Sequence, residues 1–258
     1  MKLSVVIPAH NEEDSVARVV VLLFKTLAAE EIDHEILVVN DNSTDQTEVI
    51  LQDLQRLYPT LRYINNEPPA GFGLAIRKGL DHFTGDAVAI VMGDGSDSPK
   101  DVVQCFRKLN EGYDCVFGSR FIKGGRLISY PPHKLLLNRL GNYLIKMLFR
   151  LDYNDVTNGF KLYRREVIAA CQPLISKHFN INIELPLKAI AQGYNYAIVP
   201  ISYADRTAGI SKFKIKEISM PYLLTIVYIY LERYFSVLPQ RGKNRNLTGA
   251  GAGRSANS

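Results

Sequence analysis

Short apolar runs alternate with segments of helical periodicity through the first half of the chain. "LSVVI" (3–7) is apolar and β-branched and ends at Pro8, which predicts a buried strand. Residues 12–29 then carry Val16, Val19, Val20, Leu23 and Leu27 at helical spacing. "EILVV" (35–39) predicts a second strand, followed by the turn-forming "DNSTDQT" and a helix through Ile50, Leu54 and Leu57 that stops at Pro59. "LRYI" predicts a third strand, "GFGLAIRKGLDHF" a helix and "DAVAIVM" (86–92) a fourth strand. A helix from about Pro99 and the strand "YDCVFGS" follow. Strands that alternate with helices imply an α/β fold: a mostly parallel central sheet flanked by helices on both faces.

Beyond residue 120 the pattern loosens. Residues 133–150 read as an amphipathic basic helix, with Leu136, Leu140, Leu144, Met147 and Leu148 apolar and Lys134, Arg139, Lys146 and Arg150 basic. "NDVTNGFKLYRREV" reads as loop and turn, residues 182–192 as helix and "AIVPISY" as strand. The stretch 218–231 is uncharged but short for a bilayer span, and Pro221, Glu232 and Arg233 interrupt or end it. It suits either a helix packed on the domain or one lying in a membrane interface, its tyrosines and Arg233 near the headgroups. These features divide the chain into a globular part over 1–214, an apolar C-terminal helix over 215–238 and a low-complexity tail, "RGKNRNLTGAGAGRSANS", expected to be disordered.

Composition supports a globular protein: 47% hydrophobic and 22% charged residues in 258. The three cysteines form no CxxC pair and no histidine spacing resembles a zinc site, which suggests a reducing compartment and no structural metal. The N-terminal apolar stretch is too short for a secretory signal. The net charge of +5 hides a split. Residues 1–119 hold 10 basic and 19 acidic side chains, and residues 120–258 hold 21 and 7. The first half suits a cation, the second an anion or an anionic membrane surface. Charge alone favours the plainer reading of two solvated faces, and no nucleic-acid-binding motif is present.

Three polar clusters, "PAHNEE", "NDNSTD" and "GDGSDSP", fall after predicted strands, where ligands bind in open parallel sheets. In the last, Asp94 and Asp97 stand close together beside Gly93, Gly95 and Ser96. Two adjacent carboxylates invite a hard divalent cation, Mg²⁺ or Mn²⁺, which commonly shares its oxygen ligands with a substrate diphosphate. The alternative is that Asp97 or Ser98 caps the following helix, with Pro99 at its first position. A diphosphate implies a nucleotide, and Asp41 at the end of the second strand suits a ribose or base. The glycines of "GFGLAIRKG" are wrongly spaced for a dinucleotide fingerprint, and no P-loop occurs.

"VVIPAHNEE", "VVNDNSTDQT", "GFGLAIRKGL", "VMGDGSDSP", "GSRFIKGG", "DVTNGFKLYRREV" and "RTAGISKFK" occur in this order. The ordered set resembles family-2 glycosyltransferases of the GT-A (Rossmann-like) fold, in particular dolichyl- and polyprenyl-phosphate mannose and glucose synthases, over about residues 3–235. The resemblance implies that Pro8, Ala9, Asn11, Glu12, Asp41, Gly71, Arg77 and Asp94 bind the nucleotide, and that Asp94 and Asp97 hold the metal. It places Arg120, Lys123, Arg206, Ser211 and Lys212 at the acceptor phosphate. Asp155, Thr157 and Gly159 would shape the acceptor loop, and Asp94, Asp97, Arg120 and Asp155 form the implied catalytic set. Such synthases usually carry Asp-Ala-Asp where this chain has Gly93-Asp94-Gly95, and more often Asp than Asn at position 40.

The implied activity is inverting transfer of a hexose from a UDP- or GDP-sugar to a polyprenyl (dolichyl or undecaprenyl) phosphate, peripherally at the cytoplasmic face of a membrane. A membrane-protein partner or a second copy of the chain is a further candidate. A phosphate acceptor is mostly dianionic at neutral pH and needs cations rather than a base. Residues 120–165 supply 10 basic against 2 acidic side chains. A sugar-hydroxyl acceptor would need a base, with Asp155 or Glu184 as candidates. A third alternative is a nucleotide-sugar-binding subunit without catalysis.

Overall fold

A computed structural model describes residues 1–204 and the helix 215–235, with side chains of the latter described from Met220 to Arg233. Seven strands form one sheet: β1 (Leu3–Ala9), β2 (His34–Asn40), β3 (Leu61–Asn65), β4 (Ala87–Ile90), β5 (Cys115–Ser119), β7 (Lys161–Arg164) and β8 (Tyr196–Pro200). The short strands β6 (Arg126–Ile128) and β9 (Ser202–Ala204) pair apart from it, in parallel. The helices are α1 (Val16–Ala29), α2 (Thr47–Leu57), α3 (Phe72–His82), α4 (Pro99–Asn110), α5 (Pro132–Phe149), α6 (Arg165–Ala170), α7 (Ile181–Ala191) and α8 (Ile215–Phe235). The expected α/β architecture is present.

The order across the sheet is β3-β2-β1-β4-β7-β5-β8. β1, β2, β3 and β4 are mutually parallel, and β7 alone runs antiparallel, between β4 and β5. Every residue of β1 and β2 is buried, as strands covered by helices on both faces require. Val5, Ile7, Ile36 and Val38 belong to one core layer with α1, α2 and α4. Val6, Leu37 and Val39 belong to the other, with α3 and side chains of α5, α6 and α7.

The chain reverses its direction of sheet growth at β1, whose neighbours are β2 and β4, and a crevice opens at such a switch point. β1 and β4 are paired only from Leu3 with Ala87 to Val6 with Ile90. Pro8, which has no N–H to give, falls beyond the last pair, where the two strands part.

Several boundaries differ from expectation. β1 runs through Pro8 to Ala9, and β4 spans 87–90 rather than 86–92. α1 begins at Val16, because residues 12–15 are bonded into the polar loops described below. The segment expected as loop and turn contains β7, a fully interior strand with Lys161, Leu162 and Tyr163 buried. α8 continues unbroken through Pro221 and is packed on α7. Tyr222 Oη donates to Phe179 O (2.9 Å), and Arg233 Nη1 donates to Phe149 O (2.9 Å). No helix among the described residues is long and apolar enough to cross a membrane. The tail 239–258 lies outside the described residues.

Candidate active site

Hydrogen bonds stitch the loops after β1 and β2 into one surface. Asn11 takes a left-handed backbone conformation (φ 51°), which asparagine tolerates better than most residues. Its N–H donates to Ser43 Oγ (3.0 Å), and its Oδ1 accepts the Thr44 N–H (2.8 Å). The Glu12 N–H donates to Thr47 Oγ1 (2.8 Å). Ser15 Oγ lies 2.8 Å from Glu12 Oε2 and 2.9 Å from Gly93 O, so one hydroxyl links the β1 loop to the β4 loop. The three clusters separated in sequence therefore meet in space.

Asp41 is buried at the centre of this surface. Its N–H donates to Ala9 O (2.7 Å), Oδ2 accepts the Gly71 N–H (2.8 Å) and Oδ1 accepts Asn66 Nδ2 (2.8 Å). The carboxylate thus fixes the entry to α3 against the end of β2. Arg77, farther along α3, is partly buried and makes no side-chain hydrogen bond or ion pair among the described residues. Pro8 and Ala9 are buried below these loops.

Glycine is required where the β4 loop crosses β1. A Cβ on Gly93 would lie 2.9 Å from Pro8 O, and one on Gly95 (φ +75°) would lie 2.7 Å from Arg18 Nη2. Close packing on the β1 backbone at Gly93 and the left-handed backbone at Gly95, whose Arg18 neighbour is the movable end of a side chain, thus account for two of the positions at which the motif departs from Asp-Ala-Asp. Asp94 Oδ1 accepts the Ser96 N–H (3.0 Å), and Asp97 Oδ2 accepts the Met92 N–H (2.9 Å). Burial pushes Asp97 up to about 7; Asp94 adds to the rise, while the Met92 N–H and Arg120 oppose it. Neither Asp97 nor Ser98 caps α4 through its side chain, although Pro99 does open the helix.

This loop fits a divalent cation in its chemistry. It presents two carboxylates, and Ser96 Oγ is buried without a hydrogen-bond partner. No cluster of three acidic, histidine or cysteine side chains exists among the described residues, so a metal here would take further ligands from substrate phosphate.

Arg120 and Asp155 form a second centre. Arg120 N and Nε donate to Asp155 Oδ2 (2.9 and 2.8 Å), and Nη2 donates to Oδ1 (2.7 Å). The guanidinium carbon lies 5.1, 5.9 and 5.4 Å from the ring centres of Phe121, Tyr130 and Tyr203. Despite its burial, Arg120 is held charged by Asp155, well above its usual range. Asp155 has no exposed surface. Both its oxygens are taken up by Arg120, which does not suit the expected role of taking a proton from an acceptor hydroxyl. Glu184 does not fit either: its two oxygens accept the Ile175 and Ser176 N–H groups (both 2.8 Å), with Lys188 Nζ 3.2 Å away.

The 154–159 loop is tied to α5. Asn138 and Asn142, one turn apart, both donate to Thr157 Oγ1 (3.1 and 2.8 Å), and Asn142 Oδ1 accepts the Thr157 N–H (3.0 Å). Gly159 faces Asn182. Buried Lys161 anchors the loop from below, donating to the carbonyls of Val156 and Asn182 (both 3.1 Å) and of Asn158. Burial draws Lys161 down to about 7, against the field of Asp155. Lys123 is exposed on the loop after β5. Arg206, Ser211 and Lys212 lie outside the described residues. Ser15, Asn138, Asn142, Lys161, Tyr130 and Tyr203 were not singled out from sequence. Asn142 lies with Ile145 and Phe149 on the buried face of α5, opposite the apolar stripe that the sequence shows, so no periodicity points to it.

Comparison with known proteins agrees with this architecture. The model of the Glycosyl transferase family 2 matches residues 4–171. The polyprenol monophosphomannose synthase of Mycolicibacterium smegmatis is 30% identical over 81% of this chain and 79% of its own length. The dolichol-phosphate mannosyltransferase of Pyrococcus furiosus is 28% identical over 84% of this chain and 61% of its own. Among solved structures, glucosyl-3-phosphoglycerate synthase from Mycobacterium tuberculosis, in complex with Mn²⁺ and UDP-glucose, superposes with a TM-score of 0.66 at 19% identity. That superposition covers 90% of this chain and 78% of the other and speaks for the fold. With the family model matched over more than half its length, the chain belongs to glycosyltransferase family 2.

Proposed function

We propose that this glycosyltransferase moves a hexose from a nucleotide sugar to a polyprenyl phosphate at a membrane surface. The observation that carries this reading is the commitment of Asp155 and Glu184. Both carboxylates named as bases for a hydroxyl acceptor are buried and bonded elsewhere, whereas a phosphate dianion attacks without a base. The relatives named as synthases on polyprenol and dolichol phosphate support it.

In this reading the loops around Asn11, Glu12, Asp41 and Gly71 bind the nucleotide, with Arg77 nearby. Asp94 and Asp97 hold a divalent cation, Mg²⁺ or Mn²⁺, which would supply charge neutralisation to the departing diphosphate. Arg120, fixed by Asp155 and enclosed by aromatic rings, faces the acceptor phosphate, and Lys123 and the cations of α5 add to the field. The neutralising pair with Asp155 makes Arg120 an oriented donor more than a source of net charge. The resemblance assigns further phosphate contacts to Arg206, Ser211 and Lys212, which lie outside the described residues.

The lipid end of the acceptor has a surface to meet. On α5, Leu136, Leu137, Leu140, Tyr143, Leu144, Met147 and Leu148 are 42–71% exposed. On α8, Met220, Leu223, Leu224, Val227, Tyr228 and Leu231 are exposed as well. The two helices meet where the Phe149 and Tyr230 rings pack edge to face, 6.0 Å apart. Lys134, Arg139 and Lys146 lie on the same helix and Arg150 caps its C-terminus, so the face suits an anionic bilayer interface.

Incubation with labelled UDP- and GDP-hexoses, Mn²⁺ and a short polyprenyl phosphate tests the function. Label should move to the lipid and not to a free sugar. Transfer to sugar hydroxyls, or nucleotide binding without turnover, would refute it.

A further inference from the structure

β9 touches both halves of the site. Tyr203 forms an antiparallel backbone bridge with Asp97, and the next residue, Ala204, donates its N–H to Ser96 O (3.2 Å). On the other side of Tyr203, the Ser202 N–H donates to Asp101 Oδ2 (2.7 Å). Three consecutive residues of β9 thus brace the Asp94–Asp97 loop and the first turn of α4. The side chain of Tyr203 makes a different contact. Its ring centre lies 5.4 Å from the Arg120 guanidinium carbon and 5.8 Å from the Tyr130 ring, which it meets edge to face. Tyr130 is itself 5.9 Å from the same guanidinium. Leu127 of β6 pairs with Tyr203 and keeps the strand in register.

Main chain on the diphosphate side and ring on the acceptor side belong to one residue. A shift of the Asp loop on filling the donor site would therefore move the wall of the cage that aims Arg120. We propose that Tyr203 is a positioning residue that couples donor occupancy to acceptor affinity; the inference rests on the function proposed above. Coupling of this kind is reciprocal and measurable as a ratio of affinities. The stacking component needs a flat π face and not the hydroxyl, because the guanidinium is attracted to the ring itself.

The test measures the Kd of a short polyprenyl phosphate for the full chain, without nucleotide and with saturating Mn²⁺ plus GDP or, separately, UDP. Wild type should bind the lipid phosphate at least about fivefold more tightly with one of the two nucleotides present. Tyr203→Phe should keep that ratio. Tyr203→Leu should bring it to within about twofold of unity, with Mn²⁺–nucleotide binding retained. Should the leucine variant not fold, Tyr203→Met keeps apolar bulk without a π face and replaces it. A merely structural residue would lower both affinities by one factor and leave the ratio intact, and that result would overturn the proposal. A wild-type ratio of one, with nucleotide demonstrably bound, overturns the coupling and spares the function. Absence of nucleotide binding in wild type overturns both.

Discussion

Arg120 and Asp155 are joined by three hydrogen bonds of 2.7–2.9 Å, two from the guanidinium and one from the Arg120 main chain, although 35 residues separate them. Both side chains are nearly inaccessible to water, at 6% and 0%. A desolvated pair of this kind is costly to break from one side, because the survivor keeps its charge and loses its counterion. Asp155→Ala should cost about 3–5 kcal/mol in denaturant unfolding. The double variant Arg120→Met/Asp155→Leu should cost less than that single one. A double variant as damaged as the sum of its parts would contradict the pairing.

Asp97 gives the fold a pH dependence of known sign. Its pKa is raised from an ordinary value of 3.8 to about 7. The stability it contributes is therefore complete below about pH 4 and is lost as the pH rises through 7, where the folded chain must hold a buried carboxylate. Asp97→Asn should unfold at a Tm at least a few degrees above wild type at pH 8, the equivalent of roughly 1 kcal/mol, and near wild type at pH 4. Lys161, whose depressed pKa acts in the opposite direction at alkaline pH, is common to both proteins and cancels in the difference. The same variant should lose transfer activity, a gain in stability at the expense of function. A Tm difference that does not change with pH would refute the assignment.

Two helical glycines should respond oppositely to alanine. Gly141 on α5 has open space where a Cβ would stand, so Gly141→Ala should stabilise by about 0.5–1 kcal/mol. Gly73 is pressed on the 176–178 backbone, with carbonyl oxygens of Ser176 and His178 only 2.7 Å from a Cβ. Gly73→Ala should destabilise by about 1–3 kcal/mol. It should also weaken nucleotide binding, because the entry to α3 displaces the Gly71 N–H from Asp41. Thermal unfolding and nucleotide titration check both.

The exposed face of α5 should bind vesicles that carry anionic lipid and release them as salt is raised. Leu140→Glu/Leu144→Glu should abolish co-sedimentation without lowering Tm by more than about 0.5 kcal/mol equivalent, since both side chains already face solvent. Equal binding by the variant would place the membrane contact elsewhere.

The first four βα units were legible because buried parallel strands appear as unbroken apolar runs and their loops collect turn residues at one edge. The convergence of Asn11, Asp41 and Asp94 followed from that topology. β7 was hidden because Lys161 and Arg164 break its apolar pattern. The lysine is tolerated in the core only through three carbonyls contributed by residues before and after it. β6 and β9 are three residues each and pair across 76 residues, too little local pattern for any periodicity to reveal. The Arg120–Asp155 pair is likewise a product of tertiary structure: both residues stand out in their motifs, but their mutual neutralisation depends on how the loop after β5 meets the 154–159 loop.

The central claim is that Asp94 and Asp97 hold a divalent cation jointly with the donor diphosphate. Calorimetric titration of Mn²⁺ into the chain tests it most directly, with and without saturating GDP or UDP. With two carboxylates at the loop among the described residues, binding should be weak alone, become at least tenfold tighter with the nucleotide and vanish in Asp94→Ala. Heat of Mn²⁺ binding that is undetectable even with bound nucleotide, or that persists unchanged in Asp94→Ala, would contradict the account.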